Sequence, residues 1–162
     1  MERISDKIII GGILEYADLI MVSILSAPNQ PGVAGKILMQ LGINQINVEF
    51  ITESENLEGT ADITFCFKSE YKDKVRKLLG SMKGIVRARG DKWQDDIAIL
   101  VVYVPHFKEK PAISGKMCEQ LGKYKINILG ISTSISSISC IIGESSLEKA
   151  KDALLEAFKL PE

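Results

Sequence analysis

The residues with the clearest capacity for chemistry are the backbone groups of one short loop, Asn29-Gln30-Pro31-Gly32-Val33-Ala34. An apolar run of strand length precedes this loop, and a helical pattern follows it. Backbone N–H groups at a helix start have no partner inside the helix and lie at its positive end, so they can hold a carboxylate. The loop is therefore a candidate site for the α-carboxylate of an amino acid. The alternative is that Pro-Gly only makes a tight turn.

Side chains with the spacing of a catalytic site are not found in the sequence. His106 is the sole histidine, and neither a nucleophile nor an orienting carboxylate stands at a recognisable spacing from it. Cys66, Cys118 and Cys140 are odd in number and widely spaced, which favours neither a disulfide framework nor a zinc site. We therefore expect no catalysis, no bound metal and no cofactor.

The composition excludes two classes of partner. Twenty basic and 21 acidic side chains give a net charge of -1, so the chain offers no field for a nucleic-acid backbone or an anionic membrane surface. The longest apolar run, Ile97 to Val104, is far too short to span a bilayer. We expect a cytoplasmic protein with no nucleic-acid and no membrane partner.

The chain contains an internal repeat with a shift of 80 residues. Residues 31–54 and 111–134 are identical at ten aligned positions, which include Pro31 with Pro111 and Asn47 with Asn127. A period of this length is too long for a solenoid repeat, so each copy is expected to be a small domain.

Hydrophobic periodicity predicts the order βαββαβ in the first copy. Its first helix should begin near Pro31, end near Gly42 and bury Ala34, Ile37, Leu38 and Leu41, while Ser69 should cap the second helix. The predicted elements are a strand Leu19–Leu25, the first helix, strands at Ile46–Phe50 and Ala61–Phe67, the second helix with Tyr71, Val75, Leu78 and Leu79 on one side, and a last strand Gly84–Arg89.

The second copy repeats this order but ends at Pro161-Glu162 without a sixth element. The strand-like segment Lys7–Ile10 has no place in copy one, so we expect the N-terminal segment to supply the missing strand. The predicted domains are residues 15–92, and residues 95–162 together with 5–13. The predicted elements are strand Ile97–Val104, helix Ala112–Gly122, strands Ile126–Ser132 and Ile138–Ile142, and helix Leu147–Phe158 with a capping box of Ser145 and Glu148.

RNA-binding RRM domains share the order βαββαβ, so RNA binding must be considered as a function. An RRM presents aromatic and basic side chains on its central strands, whereas Gly59–Phe65 supplies an acidic residue and no such pattern. Together with the net charge of -1, this argues against RNA binding.

Several segments resemble the ACT domains of aspartate kinases. Pro31–Ile37, Gln45–Ile51 and Gly59–Phe65 are similar to the first ACT domain of that family, and Lys125–Ser134 and Leu147–Leu154 are similar to the second. The resemblance implies an α+β chain of two ferredoxin-like ACT domains, without the kinase domain of the family. It implies a regulatory region or subunit that binds lysine or threonine where two ACT domains pair edge to edge, and that thereby inhibits an aspartate kinase catalytic domain or subunit.

The same resemblance implies a homodimer joined through the second-strand edges, and a set of ligand-binding residues. These are Asn29, Gln30, Gly32, Val33 and Ala34 in the loop, Asn47, Val48 and Glu53 along the second strand, and Asn127, Ile128, Ser132 and Thr133 in copy two.

Three positions depart from the pattern of the family. Asn29 stands where an aspartate is usual, Pro111-Ala112 replaces Pro-Gly, and Ile135-Ser136-Ser137 replaces a segment that begins with glutamate. Alanine does not adopt positive φ as cheaply as glycine does, so copy one is expected to carry the better site. Two other functions stay open: a dimerisation module with a vestigial site, and a free-standing tandem ACT regulator of another pathway.

Overall fold

The computed structural model describes residues 7–106 and 109–162. The chain divides into two compact units, residues 18–95 and residues 96–162 together with the segment before residue 18, which we call domain 1 and domain 2. The domain limits predicted above remain a prediction, and residues 5 and 6, which they include, lie outside the described residues.

Domain 1 contains the βαββαβ order predicted for copy one. Its elements are the later part of β2 (Gly12–Ala27), α1 (Val33–Ile43), β3 (Phe50–Glu55), β4 (Ala61–Lys68), a 3-10 turn (Ser69–Tyr71), α2 (Lys72–Ser81), α3 (Lys83–Val86) and the first residues of β5 (Gly90–Tyr103). Strand β4 lies between β3 and β2, and both pairings are antiparallel.

The core of domain 1 lies between the sheet and the helices. Every second residue of β4 belongs to it, because side chains alternate between the two faces of a strand. Ile63, Phe65 and Phe67 from β4 pack in one buried cluster with residues of α1 and α2. The predicted apolar face of α1 needs one correction: Leu38 is exposed, whereas Val33 is buried.

Two elements predicted in domain 1 are wrong. The segment predicted as strand Gly84–Arg89 begins as helix α3, because Met82 and Val86 are both buried at helical spacing, and the strand starts only at Gly90. Ser69 does not cap α2, since a 3-10 turn precedes this helix and the Ser69 hydroxyl donates to Asp18 instead.

The strand predicted at Ile46–Phe50 starts only at Phe50. The N–H of Ile46 is used to close the end of α1, where it donates to the carbonyl of Leu41. Gln45 before it has a φ of 57°, in the left-handed region. The same features recur 80 residues later, because Lys125 has a φ of 56° and Ile126 donates to Leu121.

Domain 2 has the matching order, and the N-terminal strand pairs within this domain as predicted, in a two-stranded sheet of its own. Strand β1 (Ile8–Ile9) pairs in parallel with β8 (Phe158–Lys159), with Ile8 opposite Phe158. The remaining elements are the rest of β5, α4 (Ile113–Lys123), β6 (Gly130–Thr133), β7 (Ser137–Gly143), a 3-10 turn (Glu144–Ser146) and α5 (Leu147–Ala157), with the antiparallel order β5–β7–β6.

Domain 2 also corrects three predictions. It has a last strand of its own, β8, where helix alone was expected. The strand predicted at Ile126–Ser132 is limited to β6, so its first four residues are not in a strand. The capping box is wrong, because Ser146 rather than Ser145 is the N-cap residue of α5 and no side chain caps this helix.

Within the described residues, no helix is long and apolar enough to cross a bilayer.

Candidate functional site

The loop that the sequence singled out joins β2 to α1. Gly32 is the N-cap residue of α1 and has a φ of 89°, a conformation that favours glycine. In the described part of the chain, no side chain caps this helix and no acidic residue lies in its first turn. The N–H of Val33 donates to the carbonyl of Gln30 over 3.5 Å, and the next N–H groups of this first turn have no partner inside the helix and can meet an anion. Asn29, Gln30 and Gly32 are exposed, Ala34 is half-buried and Val33 points into the core.

The equivalent loop of domain 2 has a different backbone. Ala112 is the N-cap residue of α4 with a φ of -76°, in the right-handed helical region. The hydrogen bond next to this residue is the same in both loops, since the N–H of Ile113 donates to the carbonyl of Lys110 over 3.3 Å and the N–H of Val33 to that of Gln30 over 3.5 Å, so the difference lies in the φ angle. The substitution of alanine for glycine thus changes the path of the chain at the point where a carboxylate would bind, as expected from the sequence.

A hydrogen-bond network in domain 1 holds the end of β2 in place. Oδ1 of Asp62 accepts a bond from the backbone N–H of Ser26 over 2.8 Å and another from Nδ2 of Asn56 over 3.2 Å. Oδ1 of Asn56 accepts from the backbone N–H groups of Glu58 and Thr60 and from the Thr60 hydroxyl. The β3–β4 turn is therefore tied to the strand that leads into the loop.

Sequence reasoning missed this network, although a local signal for half of it exists. Asn56 precedes Gly59 in a polar stretch, and an asparagine that bonds the backbone two residues on is typical of such turns. The bond from Ser26 to Asp62 joins residues 36 positions apart, so it follows from strand pairing and not from a local pattern.

Glu53 lies at the same end of the sheet as the loop. It is exposed on β3 and pairs with Ile63, which in turn pairs with Ile24 near the end of β2. This carboxylate is the acidic group among the predicted ligand-binding residues of domain 1, and it could accept hydrogen bonds from an ammonium group.

Asn47 and Val48 lie at the opposite end of β3. Both precede Phe50, which begins β3 and pairs with Cys66. At the other end of the strand, near the loop, Glu55 pairs with Ala61. Five residue steps separate these two pairs, which corresponds to roughly 17 Å at about 3.3 Å per residue. Asn47 is exposed, and its Nδ2 donates to Oε1 of Glu49 over 3.1 Å. Within domain 1, the loop and Asn47 therefore cannot contact the same small ligand.

Domain 2 divides its predicted residues in the same way. Asn127 and Ile128 precede β6, whereas Ser132 and Thr133 form its last two residues and are exposed. Ser132 lies opposite Ser139. The structure thus places one set of predicted contacts at the start of each second strand and another at its end.

Metal and thiol chemistry have no support at these positions. Among the described residues, no group of three or more His, Cys, Asp and Glu side chains could hold a metal ion. Burial raises the pKa of the Cys66 thiol to about 12 and is the largest cause of the same rise at Cys140, where neighbouring Cys118 adds a smaller effect. Neither thiol is a nucleophile at neutral pH.

Comparisons with known proteins agree with these observations. A family model for the ACT domain matches residues 105–158. An aspartate kinase of Pseudomonas fluorescens (strain SBW25) is 31% identical over 98% of this chain and 38% of its own length, and an aspartokinase of Pseudomonas aeruginosa is 32% identical over 98% and 39%. The chain therefore spans about two fifths of the length of these relatives.

Solved structures show the fold. The ligand-free regulatory subunit of aspartate kinase from Thermus thermophilus superposes with a TM-score of 0.83 at 23% identity, over 93% of this chain and 99% of that one. A chain from a structure of aspartokinase alpha and beta subunits gives 0.83 at 24% identity, over 91% and 97%. Escherichia coli aspartokinase III in complex with lysine and aspartate gives 0.68 at 12% identity, over 97% and 35%.

Proposed function

We propose that this chain is a pair of ACT domains that senses an amino acid and passes the signal to an aspartate kinase, since it is similar along its length to aspartate kinases, an ACT family model matches residues 105–158, and it shares its fold with a regulatory subunit of aspartate kinase. The chain shares its fold, over nearly its full length, with a regulatory subunit of aspartate kinase and with a chain from a structure of aspartokinase alpha and beta subunits, which supports a regulatory role. The proposed effector is lysine or threonine, and its binding inhibits the kinase. A cytoplasmic location remains part of this proposal.

The observation that carries the proposal is the loop at Gly32. An uncapped helix start with a glycine in the left-handed region offers backbone N–H groups to a carboxylate. Every amino acid has such a carboxylate, whereas its ammonium group needs acceptors. Glu53, at the same end of β3, provides a carboxylate for this purpose.

The separation of the two residue sets supports a site formed by two copies of the chain. β3 is an edge strand of the sheet, and its residues Ile51 to Glu55 are exposed. If β3 pairs antiparallel with β3 of a second copy, the start of one strand lies beside the end of the other. Asn47 and Val48 of the second copy would then approach the loop and Glu53 of the first. If β6 pairs with β6 of the second copy in the same way, Asn127 and Ile128 of one copy would approach Ser132 and Thr133 of the other.

Lysine is favoured by one solved relative, since the structure of Escherichia coli aspartokinase III was determined in complex with lysine and aspartate. Threonine is the other effector that the family resemblance implies. The exposed amide of Asn29, where the family usually has an aspartate, removes one negative charge from the site. We therefore expect selectivity between the two amino acids to rest on Glu53 and on the partner strand.

Isothermal titration with the common amino acids and diaminopimelate tests the sensing function. We expect saturable heat with lysine or threonine, weakened at least about tenfold by Gly32→Val, since a β-branched residue is strained at this φ. Ala112→Val is the matched control, because its backbone is compatible with any residue and it should leave the stronger site intact. The absence of heat from every amino acid would remove the sensing function.

A kinase assay tests the second half of the proposal. The chain is added to the separately produced catalytic domain of an aspartate kinase, with and without the amino acid that binds in the titration. We expect inhibition only when both are present. Binding without any effect on the kinase would leave amino-acid sensing in place and exclude this partner.

A dimerisation module with a vestigial site is the second candidate, and it is favoured by Ala112. At this residue the backbone of the domain 2 loop has lost the conformation seen at Gly32. A stable dimer that gives no heat with any amino acid would support this function.

A further inference from the structure

Domain 1 contains a groove of about 800 Å³ that lies apart from the predicted amino-acid site. It is bordered by α2, α3 and the first residues of β5, and none of the residues predicted to bind the amino acid lines it. Ile24, Leu79 and Val86 contribute apolar surface to its wall. This volume lies within the range of roughly 300–1,000 Å³ in which proteins bind drug-sized ligands and cofactors.

The groove carries an excess of positive charge. Arg76, Lys83 and Arg89 line it, against the single acidic residue Asp91. The Asp91 carboxylate accepts a hydrogen bond of 2.8 Å from the indole N–H of Trp93. Arg89 forms an ion pair with Glu58 in which both side chains are largely exposed, so water screens it and a ligand anion can replace Glu58. The ligand should therefore be negatively charged.

Arg76 lies over an aromatic ring. Its guanidinium carbon lies 5.0 Å from the centre of the Trp93 ring, and Trp93 packs edge-on against Phe67, with the ring centres 6.1 Å apart. A guanidinium fixed in this way keeps its N–H donors at its edge, where they can bind a phosphate with two bonds. Planar groups also stack on guanidinium and indole faces.

From these features we propose that the groove binds a phosphate-bearing ligand with a planar apolar part, of the nucleotide class. Arg76 and Lys83 bind the phosphate. The planar part lies on the apolar wall beside Trp93. This site is separate from the amino-acid site and does not depend on the function proposed above.

The fluorescence of Trp93 provides a direct test, since it is the only tryptophan in the chain. The full chain is titrated with ATP, ADP, adenosine and inorganic phosphate, and each titration is repeated by calorimetry. We expect a saturable fluorescence change and saturable heat with ATP and ADP. Adenosine and inorganic phosphate should each bind at least about tenfold more weakly, because each lacks one half of the ligand.

Substitutions then assign the binding to the groove. Arg76→Gln and Lys83→Gln should each weaken nucleotide binding about tenfold or more in calorimetry, which does not depend on the altered surroundings of Trp93. Lys77→Gln is the matched control, because Lys77 is exposed on α2 and does not line the groove. The proposal is overturned if no nucleotide binds, if Lys77→Gln weakens binding as much as the other two variants, or if adenosine or phosphate binds as tightly as ATP.

Discussion

The backbone N–H of Ser26 donates a hydrogen bond of 2.8 Å to Oδ1 of Asp62. Ser26 has a φ of 54°, and it lies where the pairing of β2 with β4 shifts register between Ile24 and Ala27. The irregular strand end is thus held by a side chain from the neighbouring strand. The carboxylate of Asp62 positions the chain just before the loop that we propose to bind the amino acid.

Removal of this carboxylate should destabilise domain 1. Asp62→Ala leaves the N–H of Ser26 and the amide of Asn56 without their acceptor, and we expect a loss of roughly 1–3 kcal/mol in the free energy of unfolding. Asp62→Asn keeps an acceptor oxygen and should cost less. Denaturant titration measures both. Asp152→Ala, on the exposed side of α5, is the control and should stay within about 0.5 kcal/mol of the unmodified chain.

Exchange of glycine and alanine should destabilise both helix starts, for different reasons. Gly32→Ala places a side chain at a φ of 89° and should cost roughly 1–2 kcal/mol. The space around Gly32 is open, so this cost comes from the backbone and not from a clash. Ala112→Gly should cost roughly 0.5–1 kcal/mol, because glycine has more conformational freedom in the unfolded chain. A neutral Gly32→Ala in thermal or denaturant unfolding would contradict the backbone assignment.

The N-terminal segment should contribute to the stability of domain 2 through one buried side chain. Ile10 is 1% exposed and belongs to the core of that domain, and its N–H donates to the carbonyl of Lys159 over 2.9 Å. Ile10→Ala should cost roughly 2–5 kcal/mol. Ile9→Ala, at a neighbouring residue that is 55% exposed, should change stability by less than about 0.5 kcal/mol. Equal effects of the two substitutions in denaturant unfolding would exclude a specific role of the segment in the core.

The proposed dimer should depend on the exposed edge at β3. Ile51 is partly exposed on this strand, and a lysine there places an unpaired charge in any interface formed by edge pairing. We expect Ile51→Lys to raise the dimer dissociation constant at least about tenfold in sedimentation equilibrium. Ile85→Lys, on the exposed side of α3, is the control. A monomeric unmodified chain would exclude the homodimer.

The buried cysteines should be unreactive in the folded chain. Since burial raises the pKa of Cys66 and Cys140 to about 12, their thiolates are scarce at pH 8, and a thiol reagent should modify at most the half-buried Cys118. All three should react after denaturation. The folded-state pKa is higher than the unfolded one, so this contribution to stability is complete at neutral pH and is lost as the pH rises from about 9 towards 12. Reaction of more than one thiol in the folded chain would contradict this.

Much of the fold could be predicted because its signals are local patterns or repeat along the chain. The shift of 80 residues relates Asn47 to Asn127, and the same shift relates the left-handed backbone at Gln45 to that at Lys125. Strand alternation at Ile63, Phe65 and Phe67 is confirmed by their burial. The strand predicted at Gly84–Arg89 is wrong because its apolar run is too short for its period to separate helix from strand.

The sequence by itself determined the order βαββαβ and the loop at Gly32, because each depends on residue types a few positions apart, and it determined the duplication because identical residues recur after 80 positions. Tertiary structure decided which of these features meet. Strand register separates Asn47 from the loop, and the pairing of β2 with β4 brings Asp62 to Ser26. The groove beside Trp93 is built by residues of β2, α2, α3 and β5, and its cations become neighbours only when these elements pack. Such contacts depend on which distant segments pair with each other, and local periodicity does not determine that pairing.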